Sequence, residues 1–228
     1  RASLEAAYRD NLPPAGQGFS AGQEAIGRRR IKNVCLDYLV DLEDEAALAL
    51  ALQQVKSESS TLTDVLVATA SLNSCTTPAG IAARDEALAH FYGKYAKGND
   101  LLFCKWLRIQ AGGDADDCLA RVDALLQHPD FSIKNPNKAR SLIGAFSGNL
   151  RRFHAADGSG YRWLADRIIE LDKINANIAA GISSALSSFR RYEAARQALM
   201  RAQLERIRDA PGLSKNTAEI VGVSLKDA

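Results

Sequence analysis

Apolar residues recur along this chain at the i, i+3, i+4, i+7 spacing that puts them on one face of a helix. Ile31, Val34, Cys35, Tyr38 and Leu39 form one such set, Leu62, Val65, Leu66 and Thr69 a second, and Leu88, Phe91, Tyr92 and Tyr95 a third. The pattern resumes in Leu119, Val122 and Leu126, in Ala139, Leu142, Ile143 and Phe146, in Tyr161, Leu164 and Ile168, and in Ile178, Ile182, Leu186 and Phe189. A last amphipathic helix reads as a stripe of Tyr192, Ala195, Leu199 and Ala202. No stretch alternates as a half-buried strand would.

Proline and glycine fall between these segments: Pro13-Pro14, Pro78, Gly112-Gly113, Pro129, Pro136, Gly158-Ser159-Gly160 and Pro211-Gly212. They punctuate about ten to twelve helices. Thr61 with Asp64 reads as a capping box, and Asn135 before Pro136 as a helix start, since asparagine caps orphan amides and proline has none to satisfy. Helices of this length with short links favour antiparallel neighbours. The expected fold is all-α, a superhelical stack of antiparallel helix pairs of the armadillo or HEAT kind, in a single domain over residues 1–228.

Composition narrows the functional classes. The 228 residues are 46% hydrophobic and 25% charged, with 29 basic and 27 acidic side chains, a globular balance that needs no disulfide or metal staple. A net charge of +2 gives no reason to expect a nucleic-acid partner. Apolar runs such as Ala46 to Leu52 are far shorter than the roughly 20 residues that span a bilayer, so membrane insertion is not expected. With Arg1 first and Met200 the one methionine, targeting segments are left open. Cys35, Cys75, Cys104 and Cys118 include no C-x-x-C pair and read as reduced packing thiols, which suits an intracellular location, cytoplasmic or organellar (mitochondrion or plastid).

Catalytic motifs are missing. His90, His128 and His154 belong to no H-E-x-x-H helix, and the chain lacks G-x-S-x-G, G-x-x-x-x-G-K-[ST] and G-x-G-x-x-G. No metal ligands and no catalytic residues are therefore assigned. The acidic clusters Asp41, Glu43, Asp44, Glu45 and Asp114, Asp116, Asp117 read as solvated helix starts. The basic groups Arg28-Arg29-Arg30 with Lys32, Arg151-Arg152, and Arg190 to Arg208 read as solvated faces. One segment stands out: Lys134 to Phe146, then Phe153-His154-Ala155-Ala156-Asp157-Gly158-Ser159-Gly160-Tyr161. From residue types alone it is a structural clamp in which Asn135, Pro136, Asn137, His154, Asp157, Gly158, Gly160 and Tyr161 tie a link to helix ends. An enzyme built around His154 and Asp157 would lack a nucleophile at a recognisable spacing.

The runs N-P-N-K-A-R-S-L-I-G-A-F and F-H-A-A-D-G-S-G-Y resemble the C-terminal domain of the alanyl aminopeptidase (aminopeptidase N) family of zinc metallopeptidases. Similarity extends to R-R-R-I-K-N-V-C-L-D-Y-L, L-L-Q-H-P-D-F and R-R-Y-E-A-A-R-Q-A-L-M, and covers the chain from about Tyr8 onward. The resemblance implies an α-superhelical domain that lies over a thermolysin-like catalytic domain, closes its active-site chamber and restricts entry to peptides. Zinc is then expected in that catalytic domain and no cofactor in this chain. The partners implied are the catalytic domain in cis and peptides. Arg140 matches a position from which some family members direct an arginine into the substrate channel. A second such position falls on Gly181, where the family pattern N-P-Q-V-A-[AS]-R reads Asn175-Ala176-Asn177-Ile178-Ala179-Ala180-Gly181. That departure keeps open an alternative of another class, a non-catalytic scaffold or interaction subunit of a larger assembly.

Overall fold

Helix starts in this molecule are fixed by side chains that satisfy the amides an α-helix leaves unpaired in its first turn. Thr61 accepts from the Asp64 amide while Asp64 accepts from the Thr61 amide, a reciprocal capping box that opens the fourth helix at Leu62. Asp44, Thr77, Asn135, Asn175 and Ser214 open others in the same way. The computed structural model describes residues 1–14, 16 and 18–226. Among them the chain forms twelve α-helices and no strand.

In order these are α1 (Ala2–Asp10), α2 (Gln23–Val40), α3 (Glu45–Lys56), α4 (Leu62–Asn73), α5 (Pro78–Phe91), α6 (Asp100–Ala111), α7 (Cys118–Leu125), α8 (Pro136–Ala139), α9 (Ser159–Asp172), α10 (Ala176–Ser183), α11 (Ala194–Arg208) and α12 (Lys215–Leu225). Two π-helical turns, Tyr92–Ala96 and Arg140–Gly144, extend α5 and α8. The helices fall into two units, the first holding residues 1–109 and 113–115, the second 110–112 and 116–228. In unit 1, α1 packs on α2, α3 on α4 and α4 on α5, and alternate helices also meet, α2 with α4 and α3 with α5. Unit 2 repeats the arrangement: α9 packs on α10 and α11 on α12, with α9 against α11 and α10 against α12. Each unit is thus a stack of helix pairs.

Two helices place their buried faces differently from the apolar periodicity. In α2, Cys35 and Leu39 point inward, but Ile31, Val34 and Tyr38 are 49%, 55% and 60% exposed, and the inward positions between them belong to Lys32, Asn33 and Leu36. The cause is a buried acid. The Lys32 ammonium lies 2.9 Å from the Asp64 carboxylate, and Asn33 donates to the same carboxylate at 3.0 Å. Gln54 donates to Asn33 and to the Asp64 carbonyl, and receives the Tyr8 hydroxyl. Once this network forms, α2 is turned so that its amine faces the core, and a basic residue expected on a solvated face is buried. In α11 the inward stripe is Met200, Leu204 and Ile207, while Ala195 and Ala202 are exposed. Burying the larger side chains removes more apolar surface from water than burying alanines, at about 25 cal/mol per Å².

Candidate functional site

The segment around Arg140 is set by α8. The Asn135 carboxamide oxygen accepts from the amides of Asn137 at 3.0 Å and Lys138 at 3.3 Å, and Pro136 occupies the first turn. Asn137 is exposed and contributes its backbone amide to this cap, not its side chain. The Lys138 ammonium donates to the Asp130 carbonyl at 2.9 Å. After Ala139 the chain widens into the π turn, where the Ala145 amide reaches back to the Arg140 carbonyl. Ser141, Leu142 and Ile143 are buried, and Arg140 itself is exposed. Its guanidinium has no partner among the described residues.

The same π turn packs on α10. A β-carbon at Gly144 would sit 3.9 Å from the Arg140 β-carbon and 4.0 Å from Ile182, so the two elements approach closely there. Gly181, the neighbour of Ile182, is exposed, and a β-carbon on it would meet nothing within 4 Å. One turn earlier on α10, Asn177 accepts from Asn216 of α12 at 2.6 Å.

His154 lies in a box of rings. Its Nδ1 is 2.8 Å from the Tyr161 hydroxyl and its Nε2 is 3.0 Å from the Tyr192 hydroxyl. The Tyr192 ring stacks on the imidazole with centroids 4.4 Å apart, and Phe153 and Tyr161 meet it edge-on. Arg196 holds the His154 carbonyl at 2.8 Å. Burial lowers the affinity of His154 for a proton, Arg196 acts in the same direction and Glu193 opposes. A neutral imidazole offers one donor and one acceptor, which two hydroxyls satisfy. Burial also pushes the Tyr161 phenol up to about 12.

Asp157 does a separate task. Its carboxylate accepts from the Ser159 amide at 3.0 Å and the Ser159 hydroxyl at 2.8 Å, and these bonds hold it below the usual carboxylate range. His154 and Asp157, read together in the sequence, spend their polar atoms on different partners. Gly158 sits at φ +68°, in the left-handed region, and a β-carbon on Gly160 would lie 2.4 Å from the Phe153 carbonyl oxygen. Both glycines answer to backbone geometry, not to a ligand.

Several organising residues have no signal in the sequence. Tyr192 and Arg196 reach His154 across 38 and 42 positions, and no local pattern announces such contacts. Glu43, read as part of a solvated helix start, takes φ +49° and brackets the start of α5 instead. Its carboxylate accepts from the amides of Thr76 at 2.8 Å and Thr77 at 2.7 Å and from both hydroxyls. A β-carbon at Gly80 would lie 2.5 Å from both Cys75 and this carboxylate. The clue was available only as a glycine two residues into a proline-led helix. All four cysteines are free thiols, and burial pushes Cys75 up to about 12.

Among the described residues no three His, Cys, Asp or Glu side chains converge to hold a metal ion. The donors nearest in chemistry are already committed, His154 to tyrosines and Asp157 to Ser159, so this chain's residues do not fit a zinc site. No helix of the described residues is long and apolar enough to cross a membrane.

Residues 1–226 match the family described as a domain of unknown function (DUF3458_C) with ARM repeats. The chain belongs to this ARM-repeat family, the C-terminal helical-repeat domain of aminopeptidase N proteins. It is 35% identical over 209 residues to aminopeptidase N of Haemophilus influenzae, covering 91% of this chain and 23% of that protein. Aminopeptidase N of Escherichia coli is 36% identical over 208 residues, with the same coverage of 91% and 23%. Legionella pneumophila aminopeptidase A, solved in complex with aspartic acid, superposes with a TM-score of 0.85 at 28% identity, over 98% of this chain and 27% of that one. The ARM-repeat domain therefore spans about a quarter of the relatives it matches.

Proposed function

We propose that this chain is the C-terminal domain of a zinc metalloaminopeptidase that removes N-terminal residues from peptides, and that it caps the active-site chamber and restricts which substrates enter. The observation that carries this reading is the 35–36% identity to aminopeptidase N proteins over 91% of the chain. The domain does no bond-breaking alone: zinc and the groups that activate water belong to the catalytic domain in cis. Arg140 serves the peptide. An exposed guanidinium without a protein partner is suited to a peptide carbonyl or a terminal carboxylate, which it meets through paired N–H donors. Free thiols suit a reducing compartment, cytoplasmic or organellar.

The test uses the complete polypeptide that carries this domain. It should release alanine from an alanyl anilide in a zinc-dependent way, and the 228 residues alone should not. In the complete enzyme Arg140→Ala should raise KM for oligopeptides about tenfold, the loss of one charge-assisted hydrogen bond, and leave the short anilide nearly unchanged. Gly181→Arg, placed where a side chain meets open space, should lower KM for the same peptides. Equal loss on both substrates would remove the access role. A second reading, a non-catalytic scaffold subunit, draws support from Gly181, where no guanidinium is available. A complete polypeptide without peptidase activity would decide for it.

A further inference from the structure

Within unit 1, α2 and α4 lie side by side and each presents a second, outward stripe. On α2 it is Gly27, Ile31, Val34 and Tyr38, and on α4 it is Thr63, Val67, Ala70 and Ser74. Both stripes step by four, three and four residues, the spacing by which one helix seats another. Small residues at Gly27, Thr63, Ala70 and Ser74 leave room for a backbone, and Ile31, Val34 and Tyr38 supply apolar contact. Between the stripes is an open cavity of ≈ 700 Å³.

The cavity has unlike ends. Arg30 lines one end, exposed and without a partner among the described residues. Asp37 lines the other and accepts from Ser71 at 2.6 Å. Seven residues of helix separate the two charges, about 10 Å along the axis. A helix seated here would therefore carry aliphatic side chains at i, i+3 or i+4, and i+7, an acid opposite Arg30 and a base two turns away opposite Asp37. About three quarters of each aminopeptidase N relative lies outside the matched segment, so a large body of polypeptide is available to supply that helix.

We propose that the α2–α4 groove seats an amphipathic helix from the catalytic portion of the same polypeptide, so that this face is an internal interface of the enzyme. The proposal rests on the aminopeptidase reading above. Its test is the labelling rate of a cysteine placed in the groove, Val34→Cys in a Cys104→Ser background, with a maleimide. The rate should fall at least about tenfold between the 228-residue chain, with its helicity verified by circular dichroism, and the complete polypeptide. Arg30→Glu should restore part of the labelling in the complete polypeptide. If Val34→Cys does not fold, Ala70→Cys reports on the other wall. Rapid labelling in a complete enzyme with full peptidase activity would overturn the groove and leave the aminopeptidase reading standing. A complete polypeptide with no peptidase activity would remove that reading, and the proposal with it. Protection already present in the 228-residue chain and rising with its concentration would make the occupant a second copy, which also overturns the proposal.

Discussion

At the centre of unit 1 an ammonium and a carboxylate, Lys32 and Asp64, lie 2.9 Å apart with side chains only 4% and 3% exposed. The centre of unit 2 is hydrocarbon and rings: Leu142, Ile143, Phe146, Phe153, Tyr161 and Leu164 are all fully buried. Both units stack helix pairs, yet they fix helix rotation differently. An apolar stripe tolerates some rotation because burial is roughly proportional to area and has no direction. A buried ion pair does not, because an uncompensated buried charge costs far more than a misplaced methyl. Unit 1 accordingly shows Ile31, Val34 and Tyr38 to the outside while enclosing Lys32. In unit 2 the stripes Leu142, Ile143, Phe146 and Tyr161, Leu164, Ile168 lie inside as their spacing predicts.

The sharpest way to break this comparison is to remove one member of the pair. Asp64→Ala should destabilise unit 1 by about 3–5 kcal/mol, since it leaves the Lys32 amine buried alone and also deletes a capping box. The joint replacement Lys32→Met with Asp64→Leu should recover much of the loss, as apolar replacements of buried pairs often do. Thermal denaturation of the three variants measures both, and a single substitution costing under about 1 kcal/mol would show that the pair does not fix α2. Acid tests the same group. Burial pushes the Asp64 carboxyl up, but hydrogen bonds and charge from Lys32 and bonds from Thr61 outweigh it and leave it below its ordinary value. A carboxyl depressed in the folded state stabilises the fold above its unfolded pKa, near 3.9, and loses that contribution as pH falls through the folded value. Unit 1 should therefore weaken below about pH 4.

Unit 2 is more exposed to steric change than to charge. Gly160→Ala would place a β-carbon 2.4 Å from the Phe153 carbonyl oxygen and 2.8 Å from its α-carbon. Backbone, not a flexible side chain, blocks that methyl. The expected cost is about 1–3 kcal/mol or more, read as a lower denaturation midpoint, against a change near zero for Gly181→Ala at an exposed position. Equal effects at the two glycines would mean that the Phe153–Gly160 approach is not a constraint.

How far the sequence could be read follows the same division. Helix number, the capping at Thr61 and Asn135 and the all-α class were legible because they depend on local chemistry: caps, proline placement and a 3.6-residue period. The inward face of α2 was not, because it is decided by an acid 32 positions away on another helix. Glu43 was misread as a solvated helix start for the same reason, since its partners are Thr76 and Thr77. Around the candidate site, Asn135 and Asp157 bond to amides two or three residues on, and such short contacts have a sequence signature. The tyrosine at 192 and the groove between α2 and α4 have none: one depends on distant helices meeting, the other on what two neighbouring helices leave exposed.

The smallest expected effect concerns His154, where a polar contact sits inside the apolar unit. Tyr192→Phe keeps the stacked ring and removes the hydroxyl at 3.0 Å, so it should cost about 1 kcal/mol, the net value of one hydrogen bond. The pH dependence runs in a fixed direction. Burial lowers the folded-state pKa of His154, Arg196 adds to the shift and Glu193 opposes it. A histidine that is harder to protonate when folded contributes stability above its unfolded pKa, near 6.5, and loses it as pH falls through the folded value. His90 in unit 1 and His128 in unit 2 are lowered as well, each first by burial, so global stability alone does not isolate the box. The imidazole resonances of His154 do: their titration should centre below about 6.5, and a midpoint above that value would mean that the ring box stabilises the imidazolium and that unit 2, like unit 1, is built around a charge.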